Sequence, residues 1–93
     1  MTSDHLAALL ALAEATPDTQ GWTSFGHGRH LTLHVATAGG VSLAVGRIEA
    51  LKVGGPLVTA RTAKGELYVV RLEDVFAGAV EAAGDASRKA GFV

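Results

Sequence analysis

The sequence predicts an α+β domain: an N-terminal helix, a curled antiparallel sheet of four or five strands whose more closed form would be a small barrel, and a C-terminal helix. Three observations predict it. Apolar residues recur at three- and four-residue spacing near both ends, and they alternate with polar residues through the middle. No helical stretch separates the alternating segments, which argues against a βαβ crossover. Ninety-three residues leave no room for two cores, so residues 1–93 are read as a single α+β domain.

Ser3 is the expected N-cap of a helix over DHLAALLALAEA, with Leu6, Leu9, Leu10 and Ala13 on one stripe. Leu12 falls off the stripe and reads as one exposed leucine, or as a contact to a second subunit beside the small residues Ala8 and Ala11. Thr16, Pro17 and Asp18 end the helix and start a polar loop, since proline cannot continue the ladder. From His30 the period is two: His30, Thr32 and His34 alternate with Leu31, Leu33 and Val35. Ala38, Gly39 and Gly40 turn the chain, and Val41, Leu43 and Val45 then face inward. Gly46 interrupts this second strand, as a bulge or sharp bend would.

LVTART and ELYVVRL form the arms of a hairpin around Ala63, Lys64 and Gly65. That turn sets Thr62 against Glu66, Ala60 against Tyr68 and Val58 against Val70, all on the core side. Thr59, Arg61, Val69 and Arg71 then share the outer face, and a slip of one residue would reverse the assignment. Beyond Leu72, the stripe Val75, Phe76, Ala79, Val80 and Ala83, with Glu73 and Asp74 at its start, predicts the C-terminal helix. Gly84 or Gly91 would end it, with Arg88 and Lys89 near its finish.

Composition excludes several chemistries. Without cysteine there is no disulfide, thiolate ligand or thiol nucleophile, which suits a reducing compartment. Leu6 to Ala13 is too short to span a membrane, and Asp4 and His5 stand where a signal peptide would carry a base, so a soluble, cytoplasmic protein without membrane contact is expected. Charge is uneven. Residues 1–26 carry −3, residues 27–71 carry +4 and residues 72–93 carry −2, for a net charge of −1.

FGHGRHLTLH places His27, His30 and His34 close together and makes them weak candidates for a metal site. His30 and His34 share a strand face but stand about 13 Å apart at ~3.3 Å per residue, too far for one ion. A solvated strand face is the simpler reading, and a pH-sensitive contact is the next. GHG precedes a strand and lacks the third glycine of a dinucleotide fingerprint. Ser24 beside His27 has no nucleophile elbow, and Glu49 and Glu66 sit on strand or turn positions, so no catalytic residue, cofactor or enzymatic activity is expected.

The leading functional expectation is therefore a small non-catalytic interaction or assembly module, a homo-oligomer or the partner of another protein, held through exposed strand edges. The alternative is a nucleic-acid-binding, small-barrel-like protein. Its phosphate contacts would come from Arg29, Arg47, Lys52, Arg61, Lys64 and Arg71, and Trp22, Phe25 or Tyr68 would supply stacking. In its order of elements, a helix and then a curled five-stranded sheet, the chain resembles the Sm-like small barrel; that resemblance implies ring assembly and RNA binding. Trp22 beside Gly21 otherwise reads as a lid over a small core. A histidine-based metal or ligand sensor is the third reading.

Overall fold

The computed structural model describes residues 1–26 and 28–82. Helix α1 (Ser3–Leu12) is followed by β1 (Thr16–Pro17), β2 (Thr23–Ser24), β3 (Arg29–Ala36), β4 (Ser42–Gly54), β5 (Leu57–Thr62), β6 (Leu67–Arg71), a single 3-10 turn (Leu72–Asp74) and β7 (Val75–Ala82). Every strand pairing is antiparallel. Across the sheet the long strands run β7, β3, β4, β5, β6, and the two-residue strands β2 and β1 extend the β3 side of β4.

The helix cap is Thr2, one residue earlier than Ser3, because its hydroxyl accepts the His5 N–H at 3.1 Å. The helix buries Leu6, Leu9 and Ala13 against one face of the sheet, and Leu12 is 65% exposed. Alternation places Leu31, Leu33 and Val35 of β3 on that same inner face, together with Val45, Ile48 and Leu51 of β4 and Val58 and Ala60 of β5. At the end of β4 the alternation gives little burial: Val41 and Leu43 are exposed although Leu43 pairs with Val35.

Two irregularities bend β4. Leu31 pairs with Ile48 and Leu33 with Val45, so Gly46 and Arg47 together oppose Thr32, which is the bulge the glycine predicts. Arg47 carries it with φ 56°, a left-handed conformation that costs a non-glycine residue about 1–2 kcal/mol. A second shift sets Glu49 as an extra residue between the pairs Ile48–Thr62 and Ala50–Arg61. The bend divides the edge of β4 facing β3, leaving Ala50 and Leu51 to pair with β2. It does not close a barrel: among the described residues the end strands β6 and β7 do not pair with each other. The sheet has seven strands rather than four or five because the supposed polar loop forms the β1–β2 pair and the supposed C-terminal helix supplies β7.

That second difference corrects the expected helix as far as Ala82. Residues 75–82 follow a helical stripe in sequence, but β3 has a free edge that only an extended segment can satisfy, and β7 pairs with it from Arg29–Ala82 to Val35–Val75. Gly78, costly inside a helix, is needed here because Leu9 of α1 packs onto it: an added Cβ would overlap Leu9 Cδ1. The expected contributions of Ala83, Gly84, Arg88, Lys89 and Gly91 lie outside the described residues.

The hairpin register is as the turn residues predict. Val58 pairs with Val70 and Ala60 with Tyr68, while the Thr62 N–H donates to the Glu66 carbonyl at 2.9 Å and Gly65 takes φ 87°. Arg61 and Arg71 therefore share the outer face with Thr59 and Val69.

Candidate functional site

Trp22 is set in place by a local turn. The Asp18 carboxylate accepts the N–H groups of Gln20 at 2.7 Å and Trp22 at 3.0 Å, and the Asp18 N–H donates to the Trp22 carbonyl at 2.8 Å. Gly21 supplies the φ of 87° that this turn needs. Pairing of Thr23 with Leu51 and Ser24 with Ala50 then docks the turn against β4. The Arg61 guanidinium lies 4.9 Å from the indole centroid and the Lys52 ammonium 5.7 Å, both within cation–π range. An aromatic ring with two cations on it is the one constellation on the outer face that local sequence spacing does not foretell.

Glu49 completes the cluster. The bulge in β4 aims it at Arg61, whose Nε is enclosed by protein and lies 3.4 Å from Glu49 Oε1. This is an ion-pair separation without a directed hydrogen bond. With both side chains more than a third exposed, solvent screens it to roughly 0–1 kcal/mol. No carboxylate among the described residues lies within 4.0 Å of Lys52.

The six basic candidates separate into two groups. Arg29 is hydrogen-bonded to Glu14 at 3.2 Å. Arg71 is held by Asp74 at 3.1 Å and Glu73 at 3.6 Å; the Asp74 hydrogen bond, with the charges of both acids, raises its pKa above the ordinary value. Those two arginines already have carboxylate partners on the chain itself. Arg47, Lys52 and Lys64 have no ion-pair partner among the described residues, and Arg61 has only Glu49. The Ala63 N–H donates to the Arg47 carbonyl at 2.8 Å, which ties the turn carrying Lys64 to the bulge carrying Arg47.

The histidines are not brought together. His30 stands across from Glu81 and His34 across from Ala77, with the His34 ring 6.0 Å from that of Phe76. His27 lies outside the described residues. Among the described residues no three histidine or acidic side chains group as metal ligands would. The other two aromatic candidates, Phe25 and Tyr68, pack against the core. An open depression of about 520 Å³ lined by Thr2, Ser3, Pro56, Leu72 and Glu73 offers one titratable side chain, and Arg71 already engages it.

The outer face also carries an apolar strip. Leu67 and Val69 of β6 are each 62% exposed and Leu57 of β5 is 43% exposed; Leu67 stands across from Arg61 and Leu57 across from Arg71. Among the described residues no helix is long and apolar enough to cross a membrane. Protein-family models, curated proteins and solved structures give no match to this chain.

Proposed function

We propose that this chain is a small assembly module that associates with a second copy of itself by extending its sheet at β6. The observation that carries this reading is the edge itself. Among the described residues β6 pairs only with β5, so the backbone donors and acceptors along its other side have no partner among those strands. Leu67–Arg71 contains no proline, lysine, register shift or inward-pointing charge, and its one charge, Arg71, stands at the strand's end, paired with Asp74. Leu67 and Val69 lie on that edge strand with Leu57 of β5 behind them, and this strip loses water where a second copy docks over it.

The opposite edge suits pairing less well. β7 is shifted in register at Phe76, its one large exposed apolar residue, and otherwise presents small residues and Glu81.

The magnitudes point to reversible association. Fully burying a leucine or valine side chain contributes about 1.5–3 kcal/mol, so the exposed parts of three such residues supply roughly 3–5 kcal/mol per copy. A few backbone hydrogen bonds add about 0.5–1.5 kcal/mol each. Association costs roughly 4–15 kcal/mol, of the same size as these gains, so self-association is reversible.

Light scattering across protein concentration tests the proposal. The wild-type mass should rise with concentration, and Val69→Lys should hold it at the monomer value. Equal masses for the two proteins at every concentration would overturn the β6 reading. Salt and chelator should leave the wild-type curve in place.

A further inference from the structure

The Trp22 cluster shares the outer face with the β6 strip, since Arg61 pairs with Leu67, but its chemistry differs and it does not use the unpaired backbone of β6. We infer that the outer side of the bent β4–β5 ladder binds the phosphodiester backbone of a single-stranded nucleic acid, with Lys52 and Arg61 against Trp22 as its anchor and Arg47 and Lys64 as its continuation.

The placement of the four cations carries this. Lys52 pairs with Thr59, Arg61 pairs with Ala50, and the Arg47 carbonyl meets the turn that holds Lys64, so the charges follow one another along the ladder. From Lys52 to Arg47 the strand advances five residues, about 16 Å at ~3.3 Å per residue. One phosphate cannot reach both ends of such a track, whereas a chain of phosphates can.

Charge bookkeeping selects the same residues. Chain carboxylates hold Arg29 and Arg71, while the track sets four cations against Glu49, Glu66 and the Asp18 of the turn that carries Trp22. Its donors are also unspent: none of Lys52, Arg61 and the Trp22 indole N–H makes a side-chain hydrogen bond among the described residues. The ring contacts both cations without using their N–H groups, which leaves the Lys52 ammonium and the terminal nitrogens of Arg61, though not its enclosed Nε, to meet phosphate oxygens. A row of cations beside an aromatic side chain suits a single strand bound without sequence readout.

The chain has one tryptophan, so its emission reports on this site alone. Full-length protein is titrated at 50 mM salt with a ten-nucleotide oligothymidylate, with inorganic phosphate in a parallel arm, and each titration is repeated at rising salt. Emission should change with the oligonucleotide, and the logarithm of the affinity should fall with the logarithm of salt at about −0.7 per engaged cation, close to −3 for four. Lys52→Gln and Lys64→Gln should each lower the affinity about eightfold at 50 mM salt and make the slope shallower by about 0.7. Trp22→Phe, followed with a dye-labelled oligonucleotide, should bind more weakly, with circular dichroism verifying the fold of every variant. Any one of three results would overturn the inference: no emission change, inorganic phosphate binding as tightly as the oligonucleotide, or Lys52→Gln and Lys64→Gln leaving affinity and slope at wild-type values. Val69→Lys, which blocks the proposed self-association, should leave the oligonucleotide affinity per site unreduced, so the two proposals fail separately.

Discussion

Gly78→Ala should destabilise the wild-type protein and stabilise a Leu9→Ala variant. At position 78 a methyl group would overlap Leu9 Cδ1 and stand 3.3 Å from Leu9 Cδ2 and 3.4 Å from Leu33 Cδ2. Neither leucine can turn aside into solvent, because Leu9 is 6% and Leu33 1% exposed. Overpacking of this kind costs about 1–3 kcal/mol. Replacing glycine within a strand returns about 0.5–1 kcal/mol by restricting the unfolded chain. The net effect in wild type is a loss of roughly 1–2 kcal/mol. Leu9→Ala alone should cost about 2–5 kcal/mol, but it removes both Cδ atoms, so the added methyl then gains about 0.5–1 kcal/mol. Urea unfolding at pH 7, followed by circular dichroism, measures all four corners of the cycle. The coupling should reach about 1.5–3 kcal/mol. A Gly78→Ala effect of the same sign and size in both backgrounds would refute the seating of α1 on β7, and with it the assignment of residues 75–82 as a strand.

Other outcomes follow from single contacts. Arg47→Gly relieves a left-handed backbone at φ 56° and should raise stability by about 0.5–1 kcal/mol in urea unfolding, while weakening oligonucleotide binding. Asp18→Ala leaves the Gln20 and Trp22 N–H groups without their acceptor; it should cost about 1 kcal/mol and shift the tryptophan emission, since the turn that holds the ring is released. Glu49→Gln removes the carboxylate beside Arg61. Oligonucleotide affinity should then rise several-fold at low salt, with a change in stability below about 1 kcal/mol.

The parts of the fold legible in the sequence are those set by neighbours in the chain. Ala63, Lys64 and Gly65 fix a turn whose geometry determines the register of both arms, which is why Val58 opposite Val70 can be read directly. Gly46 signals a bulge for a similarly local reason. Residues 75–82 mislead because small residues beside Val75 and Val80 satisfy a helical stripe as well as an edge strand. What decides between them is the unpaired side of β3, some forty residues earlier, together with the approach of Leu9.

The candidate site divides in the same way. The hairpin register places Arg61 on the outer face, and the sequence Asp18-Thr19-Gln20-Gly21-Trp22 carries the signature of an Asx turn that could have been found. The meeting of Trp22 with Lys52 and Arg61 depends on two pairs between β2 and β4, across a separation too long for any local signal. The pairing of Arg71 with Asp74 becomes visible only because a 3-10 turn, rather than a helix, follows β6.

Hydrogen–deuterium exchange of the backbone amides as a function of protein concentration tests self-association through the β6 edge most directly. Protection of amides in Leu67–Arg71 should increase across the concentration range in which the mass rises, with those of Val75–Ala82 unchanged. Free exchange of the β6 edge amides in a fully associated sample, or protection that grows along β7 instead, would contradict it.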